Sequence, residues 1–166
     1  MNGIKTIRSI VESTIDKMNS DKTYRRIYPY TKAGTLHKLV EIEILDHVQE
    51  LYPHLNLYHP ADNSGKPDIY TDVYHTGVEV KATFGWEYIH RGKPRCQIRW
   101  TNGTVQNSTE NFLFIKLGFK NDKLVAENIW FGNFSYDKWT IHWNNGSPHG
   151  MRISDKIVKK LCKQIK

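Results

Sequence analysis

Residues 111–119 constrain the fold of this chain more than any other segment. They read Asn-Phe-Leu-Phe-Ile-Lys-Leu-Gly-Phe and are almost continuously apolar. A run of this kind is typical of a strand that is buried on both faces, which places it at the centre of a sheet. Residues 124–131 follow after a short polar turn at 120–123, so we expect them to pair with the central strand.

Helical periodicity predicts two helices in the first third of the chain and a last helix at its end. Apolar residues recur at helical spacing over residues 3–18 and again over residues 35–51. Between these helices, residues 24–30 combine Arg and Tyr with a proline, which predicts an irregular connector. Ser154 is placed to cap a last helix. The residues expected on its core face are Ile157, Val158, Leu161 and Ile165.

The order of these elements predicts the fold class. Helices come first, strands follow and a helix ends the chain, with a further short strand at 139–143 and a polar loop at 144–150. The chain has 166 residues and shows no repeat or interdomain linker. We therefore expect a single domain over residues 1–166, of the mixed α/β or α+β class, with a mixed central β-sheet flanked by helices.

A hairpin carries the most informative group of polar residues. Residues 67–81 read as a strand, a turn at His75-Thr76-Gly77 and a second strand. Successive strand side chains point to opposite faces, so Glu79 and Lys81 share one face while the apolar residues between them take the other. The hairpin brings Asp68, at the start of the first strand, beside both of them.

Asp68, Glu79 and Lys81 suit one kind of chemistry. Two carboxylates and one ammonium at a strand end can hold a hard divalent cation and the water that it activates. The alternative is that Glu79 and Lys81 lie on the wet face of an amphipathic hairpin, since so short a pattern occurs by chance in many chains.

The helix at 35–51 offers a further acidic residue. Glu41 and Glu43 lie on opposite flanks of its apolar stripe, at the border between core and solvent. A carboxylate at such a border can point along the core edge towards a site, and we take Glu41 as the candidate. The alternative is that both glutamates are solvated.

The charge balance bears on the partner. Lys and Arg number 24 against 17 Asp and Glu, which gives a net charge of +7. This basic bias favours a polyanionic partner, most often nucleic acid, although a merely basic protein is the alternative.

Several features exclude other classes of protein. No segment approaches the ~18 consecutive apolar residues of a membrane span. No signal peptide is recognisable at the start of the chain. Cys96 and Cys162 match no zinc spacing and are expected to be reduced thiols. We therefore expect a cytoplasmic protein without a membrane partner.

Residues 84–110 and 139–150 are candidates for reading DNA. Residues 84–90 and 95–100 predict a two-stranded ribbon around a basic turn, in which Arg95, Gln97 and Arg99 face one way. Arg and Gln read guanine and adenine edges, and a β-ribbon fits the major groove, but a solvated hairpin face is the alternative. The candidate DNA-binding residues are Lys66, Arg91, Lys93, Arg95, Gln97, Arg99, Asn102, Gln106, Asn107, Asn144 and Asn145.

Pro67-Asp68 followed by Glu79-Val80-Lys81 resembles the motif of the PD-(D/E)xK nuclease superfamily. Helix 35–51 stands where that superfamily often carries an additional acidic residue, here Glu41, and the resemblance covers about residues 34–131 in element order. Within the superfamily the chain looks most like a small type II restriction endonuclease, because its long segment after Lys81 suits sequence readout. Holliday-junction resolvases show a similar stretch but usually have less chain beyond it.

The resemblance implies a restriction-endonuclease-like core and a sequence-specific, Mg²⁺-dependent endonuclease of double-stranded DNA, with Mn²⁺ as a substitute ion. Asp68, Glu79 and the Val80 carbonyl would hold the metal. Lys81 would orient or deprotonate a water or stabilise the pentavalent phosphate. The products would carry 5′-phosphate and 3′-hydroxyl ends, and a palindromic target would require a homodimer. The alternatives are a structure-specific nuclease, such as a junction resolvase or repair endonuclease, and a non-catalytic nucleic-acid-binding module.

Overall fold

The computed structural model describes residues 2–28, 33–60, 66–91, 109–144 and 147–165. For residues 2–5, 33–34, 90–91, 141–144 and 147–150 the description is limited to the backbone. The helices are α1 (Asn2–Ser20), α2 (Lys22–Ile27), α3 (Ala33–Leu51) and α4 (Asp155–Leu161). The strands are β1 (Ile69–Thr71), β2 (Thr76–Thr83), β3 (Glu87–Arg91), β4 (Thr109–Lys120), β5 (Lys123–Ser135), β6 (Thr140–Asn144), β7 (Ser147–Ser154) and β8 (Lys163–Gln164).

The main sheet has five strands in the order β1-β2-β4-β5-β8. β2 and β4 are parallel, and the other neighbours are antiparallel, so the sheet is mixed. β4 is its middle strand and is buried from Phe112 to Ile115, which confirms the prediction from residues 111–119. β4 pairs with β5 as expected, across a turn in which Asn121 and Asp122 have φ values of 51° and 57°. Hairpin turns with positive φ at both central residues match the right-handed twist of the strands that they join.

One face of this sheet is covered by α1 and α3. Val11 and Ile15 of α1, with Val40 and Ile44 of α3, form a core with apolar residues of β2, β4 and β5. Asn19 fixes the end of α1 to the start of β5. Its side chain donates to the Leu124 carbonyl at 2.8 Å and accepts from the Leu124 amide at 3.0 Å.

A second core covers the opposite face. The remaining strands form a three-stranded sheet in the order β3-β7-β6. Tyr88 of β3, Met151 of β7 and Val158 of α4 pack with Phe112 and Phe114 of the central strand. Apolar layers on both faces explain why the central strand carries almost no polar side chains.

Two predictions in the helical segments were partly wrong. Residues 24–27 belong to α2 rather than to an irregular connector, and the Asp21 side chain caps this helix by accepting from the Thr23 amide at 2.6 Å. The last helix begins at the Ser154 cap as predicted but ends at Leu161. Ile157 is 36% exposed, and Ile165 reaches the core from beyond β8 rather than from the helix.

The segment after the central sheet also differs from its prediction. Residues 139–143 were expected as a strand, and β6 confirms them, but the loop expected at 144–150 is largely β7. β7 pairs with both β6 and β3. Residues 95–100, the expected partner of 84–90, lie outside the described residues. The fold is α+β, with a mixed central sheet and flanking helices.

No helix in the described part of the chain is both long and apolar enough to cross a membrane.

Candidate active site

The hairpin of β1 and β2 sets the site, although its turn comes earlier than predicted. The turn spans residues 72–75 rather than 75–77, and Val73, expected in the first strand, lies in it and is half exposed. Ile69 pairs with Val78, which places the preceding residue, Asp68, beside Glu79.

The two faces of β2 separate apolar from ionic residues, as predicted. Val80 and Ala82 pack in the core beneath α3. Glu79 and Lys81 lie beside Phe112 and Phe114 of β4 in the parallel register. They are only 3% and 6% exposed, so the alternative of a solvated hairpin face is wrong for these two residues.

The Lys81 ammonium is the centre of the cluster. Its Nζ lies 2.7 Å from Asp68 Oδ2, 2.6 Å from Glu79 Oε1 and 3.0 Å from the Val80 carbonyl oxygen. Burial by itself would lower the pKa of Lys81, but the negative charges of Glu79, Asp68 and Glu41 and the hydrogen bond to Asp68 outweigh it. The pKa is therefore raised, and the side chain stays charged.

Backbone amides fix both hairpin carboxylates. Asp68 Oδ2 accepts from the Val80 amide at 3.2 Å, and Glu79 Oε2 accepts from the Asp68 amide at 3.2 Å. The pairing of β1 with β2 ends at Val78, so the edge of β2 beyond it needs acceptors other than a strand. Carboxylates supply them, and the site is therefore built into the sheet edge.

Glu41 belongs to the helical layer that covers the sheet, and it binds the same edge of β2 as Asp68. It lies on α3, and its Oε1 accepts from the Ala82 amide at 3.2 Å. Burial raises the pKa of Glu41, and the nearby Asp68 charge adds to this, while Lys81 and Lys38 oppose it. Glu43 points elsewhere. It accepts from the Tyr24 hydroxyl, and this hydrogen bond, with burial, raises the pKa of Tyr24 to about 12.

Lys38 is a member of the cluster that the sequence analysis missed. Its Nζ lies 3.0 Å from Glu41 Oε2 and 3.8 Å from Asp68 Oδ1, and its side chain is 44% exposed. A residue three positions before Glu41 shares its helix face, and that spacing was the available signal. Lysines on helices are usually solvated, so the signal is weak.

His59 and Lys66 flank the hairpin. His59 Nδ1 lies 2.6 Å from the Asp68 carbonyl oxygen and helps to hold the start of β1. Lys66, predicted to meet a phosphate, donates to the Tyr58 hydroxyl at 2.6 Å and to Asp72 Oδ1 at 2.8 Å. These hydrogen bonds raise its pKa and hold its side chain towards the turn.

The predicted metal ligands form a sparse set. Among the described residues, no three or more His, Cys, Asp or Glu side chains are grouped as a metal-holding cluster. The oxygens that converge at Lys81 belong to two carboxylates and one backbone carbonyl.

Most predicted DNA-binding residues stay predictions. Arg91 ends β3 opposite Gly150, and Asn144 ends β6 opposite Ser147, with only their backbones described. The candidates outside the described residues are Lys93, Arg95, Gln97, Arg99, Asn102, Gln106, Asn107 and Asn145.

Comparisons of this chain with protein-family models, with curated proteins and with solved structures found no match. Asp68, Glu79 and Glu41, with Lys38 and Lys81, form one ionic cluster, and carboxylates and ammonium groups are the types of group that bind cations, water and phosphate.

Proposed function

We propose that this chain is a Mg²⁺-dependent endonuclease that hydrolyses phosphodiester bonds of double-stranded DNA, with a restriction-endonuclease-like core of the PD-(D/E)xK type. One observation carries the proposal. Oxygens of Asp68, Glu79 and Val80 all lie within 3.0 Å of a single positively charged atom, Lys81 Nζ. The same three groups are the metal ligands that the sequence motif predicts.

The oxygens of Asp68, Glu79 and Val80 fit a magnesium ion if Lys81 Nζ, which now holds them, moves aside when the ion binds. Mg²⁺ usually takes one or two carboxylates and keeps several waters, so a dense cluster of side chains is not needed. The carboxylates are held by backbone amides and are therefore positioned before any ion binds. Glu41, Asp68 and Glu79 also outnumber Lys38 and Lys81, so the ionised cluster has an excess negative charge that a cation would neutralise.

A bound Mg²⁺ would polarise the phosphate and lower the pKa of a bound water. The chain's own groups divide the remaining work. In the metal-free cluster Lys81 has a raised pKa and stays protonated, and we infer that it stabilises negative charge on the phosphate rather than removing a proton. Burial raises the pKa of Glu41, and we infer that its carboxylate accepts a proton during the reaction.

The proposal extends to substrate choice and assembly. We infer a sequence-specific enzyme like the type II restriction endonucleases, which acts as a homodimer on a palindromic site and leaves 5′-phosphate and 3′-hydroxyl ends. Mn²⁺ would substitute for Mg²⁺. The net charge of +7 supports a DNA substrate, and the free thiol of Cys162 is in keeping with the cytoplasm.

Digestion of plasmid DNA tests this function. Purified protein is incubated with supercoiled plasmid, a branched duplex and a mismatched duplex, in Mg²⁺, in Mn²⁺ and in EDTA. Discrete plasmid fragments in either metal, and none in EDTA, are expected. Cleavage of only the branched or mismatched DNA would identify a structure-specific nuclease instead, and no cleavage of any substrate would favour a non-catalytic binding module.

A further inference from the structure

A strongly basic pocket lies outside the candidate active site. α2 and the turn between β4 and β5 enclose about 430 Å³. The pocket is lined by Lys22, Arg25, Arg26, Asn121, Asp122 and Lys123. Four cations thus face one carboxylate in a concave surface, an arrangement that concentrates positive potential.

These cations are not neutralised by the rest of the described chain. Lys22, Arg25, Arg26 and Lys123 are exposed, and none of them forms an ion pair with another described residue. Like charges held together repel one another, so a bound anion would relieve an unfavourable interaction already present in the pocket.

The two sides of the pocket are held in place. The hydrogen bonds between Asn19 and Leu124 fix the start of β5, next to the turn, against the end of α1. Asp21, between α1 and α2, caps α2 through the Thr23 amide. The backbone on both sides of the pocket is therefore held in place before a ligand binds.

A row of aromatic contacts links the pocket to the active-site strand. Phe84, just after β2, stacks on Phe119 with the ring centroids 5.5 Å apart. Phe119 in turn meets the edge of Tyr28, at the end of α2, at 6.0 Å. Nearby, Lys116 lies 4.9 Å over the ring of Trp86, which is 78% exposed. Exposed aromatic rings beside lysines suit contact with nucleic acid.

The spacing along β4 sets the distance between the two sites. Phe114 is the register partner of Lys81, and β4 runs on from there to Lys120 beside the pocket. At ~3.3 Å per residue the separation is roughly 20 Å. This separation lies within the length of a short DNA duplex, whose axis rises ~3.4 Å per base pair.

We propose that this pocket binds a backbone phosphate of the same nucleic acid whose scissile phosphate lies at the Asp68–Lys81 cluster. The assignment of the ligand as nucleic acid rests on the proposed nuclease function. The pocket contributes affinity without sequence information, because it contacts the backbone and not the bases.

The test compares two double variants of equal charge change. Arg25→Ala/Arg26→Ala removes two cations from the pocket, and Lys156→Ala/Lys160→Ala removes two exposed cations from α4 on the opposite side of the main sheet. Both are made in an Asp68→Asn background, so that binding of a labelled duplex in Mg²⁺ is measured by fluorescence anisotropy without cleavage.

The pocket variant should raise Kd on the order of tenfold at ~0.1 M salt and reduce the slope of log K against log salt by about one, as expected for the loss of one phosphate contact. The α4 variant should change the slope by much less. Asp122→Asn gives an independent gain of function. It removes the single carboxylate of the pocket while asparagine tolerates the φ of 57° there, so Kd should fall severalfold.

An unchanged slope in the pocket variant, or an equal loss in the α4 variant, would overturn the inference. So would a pocket-dependent co-sedimentation with anionic vesicles combined with unchanged duplex binding. The outcomes also separate this inference from the nuclease function. Pocket-dependent binding by a wild type that never cuts DNA defeats only the function, and cleavage with pocket-independent binding defeats only the inference.

Discussion

At the scale of single residues, the ionic cluster combines burial with incomplete charge compensation. Asp68 and Glu79 form ion pairs with the buried Lys81. Glu41 forms its ion pair with Lys38, whose side chain is partly exposed. Burial of charges costs free energy that ion pairs only partly return. The raised pKa of Glu41 reflects this cost, and such a cost is expected where selection acts on chemistry rather than on stability.

Glu41→Gln should therefore stabilise the fold and weaken cleavage. The raised pKa means that ionised Glu41 destabilises the folded state at pH values above that pKa, and that this penalty is absent below the pKa of an unfolded glutamate. The Gln side chain still accepts from the Ala82 amide. We expect Tm at pH 7 to rise by about 2–4 °C, and the difference from wild type to vanish in acid. Thermal unfolding across pH measures this, and a lower Tm at pH 7 would contradict it.

Lys38→Met should lower the cleavage rate without unfolding the protein. Its side chain is 44% exposed and its ammonium lies near Asp68 and Glu41, so in the proposed function it is placed to contact a phosphate. Loss of one such donor is expected to reduce kcat by roughly tenfold to a hundredfold. Lys17→Met, which removes an exposed lysine paired with Glu50, is the control and should cleave normally. Single-turnover rates that are equal for both variants would show that Lys38 has no part in the reaction.

At the scale of elements, the hairpin shows how far the sequence predicts a site. Alternation along β2 correctly separated the apolar face from Glu79 and Lys81, because period-two patterning is a local property. The turn was misplaced because Val73 favours a strand and Gly77 favours a turn. In the structure His75 takes the positive φ of 48°. Gly77 instead leaves room for Pro67, which packs closely against its backbone. Such a tertiary contact leaves no local signal.

Gly77→Ala tests that contact. A Cβ at this position would meet the Ile69 carbonyl oxygen and would lie 2.5 Å from Pro67 Cγ, so the start of β1, next to Asp68, must shift. We expect a loss of stability of about 1–3 kcal/mol and reduced cleavage. Gly85→Ala is a matched control, since its nearest neighbour would be Thr83 Oγ1 at an ordinary 3.6 Å. Chemical denaturation of both variants measures the difference, and equal stability would refute the proposed clash.

The elements predicted least well are those defined by distant partners. Residues 147–150 are polar and turn-rich in sequence but belong to β7, which lies between β3 and β6. The short α2 depends on its Asp21 cap. Periodicity is informative for the long α1, α3 and β4, whereas pairing with distant segments decides the shorter elements.

At the scale of the whole molecule, the helices and the second sheet are arranged on the two sides of the central strand β4. Two cores press on the sheet, one beneath α1 and α3 and one beneath α4 and the three-stranded sheet. The apolar run at residues 111–119 predicts this arrangement, because a strand covered on both sides must be apolar throughout. The ionic cluster lies at the edge of β2 beyond Val78, where the pairing of β2 with β1 ends. The basic pocket at the far end of β4 was not foreseen, since α2 and the β4–β5 turn meet only in the folded chain.

Cleavage and binding by two aspartate variants of one hairpin test the central claim most directly. Asp68→Asn alters the cluster, whereas Asp72→Asn alters a carboxylate of the turn that pairs with Lys66. Single-turnover cleavage in Mg²⁺ and anisotropy binding of the same DNA are measured for both variants and for wild type. We expect Asp68→Asn to bind DNA but to lose cleavage by a factor of ~10³ or more, and Asp72→Asn to cut like wild type. Cleavage by Asp68→Asn at the wild-type rate would show that the reaction centre lies elsewhere.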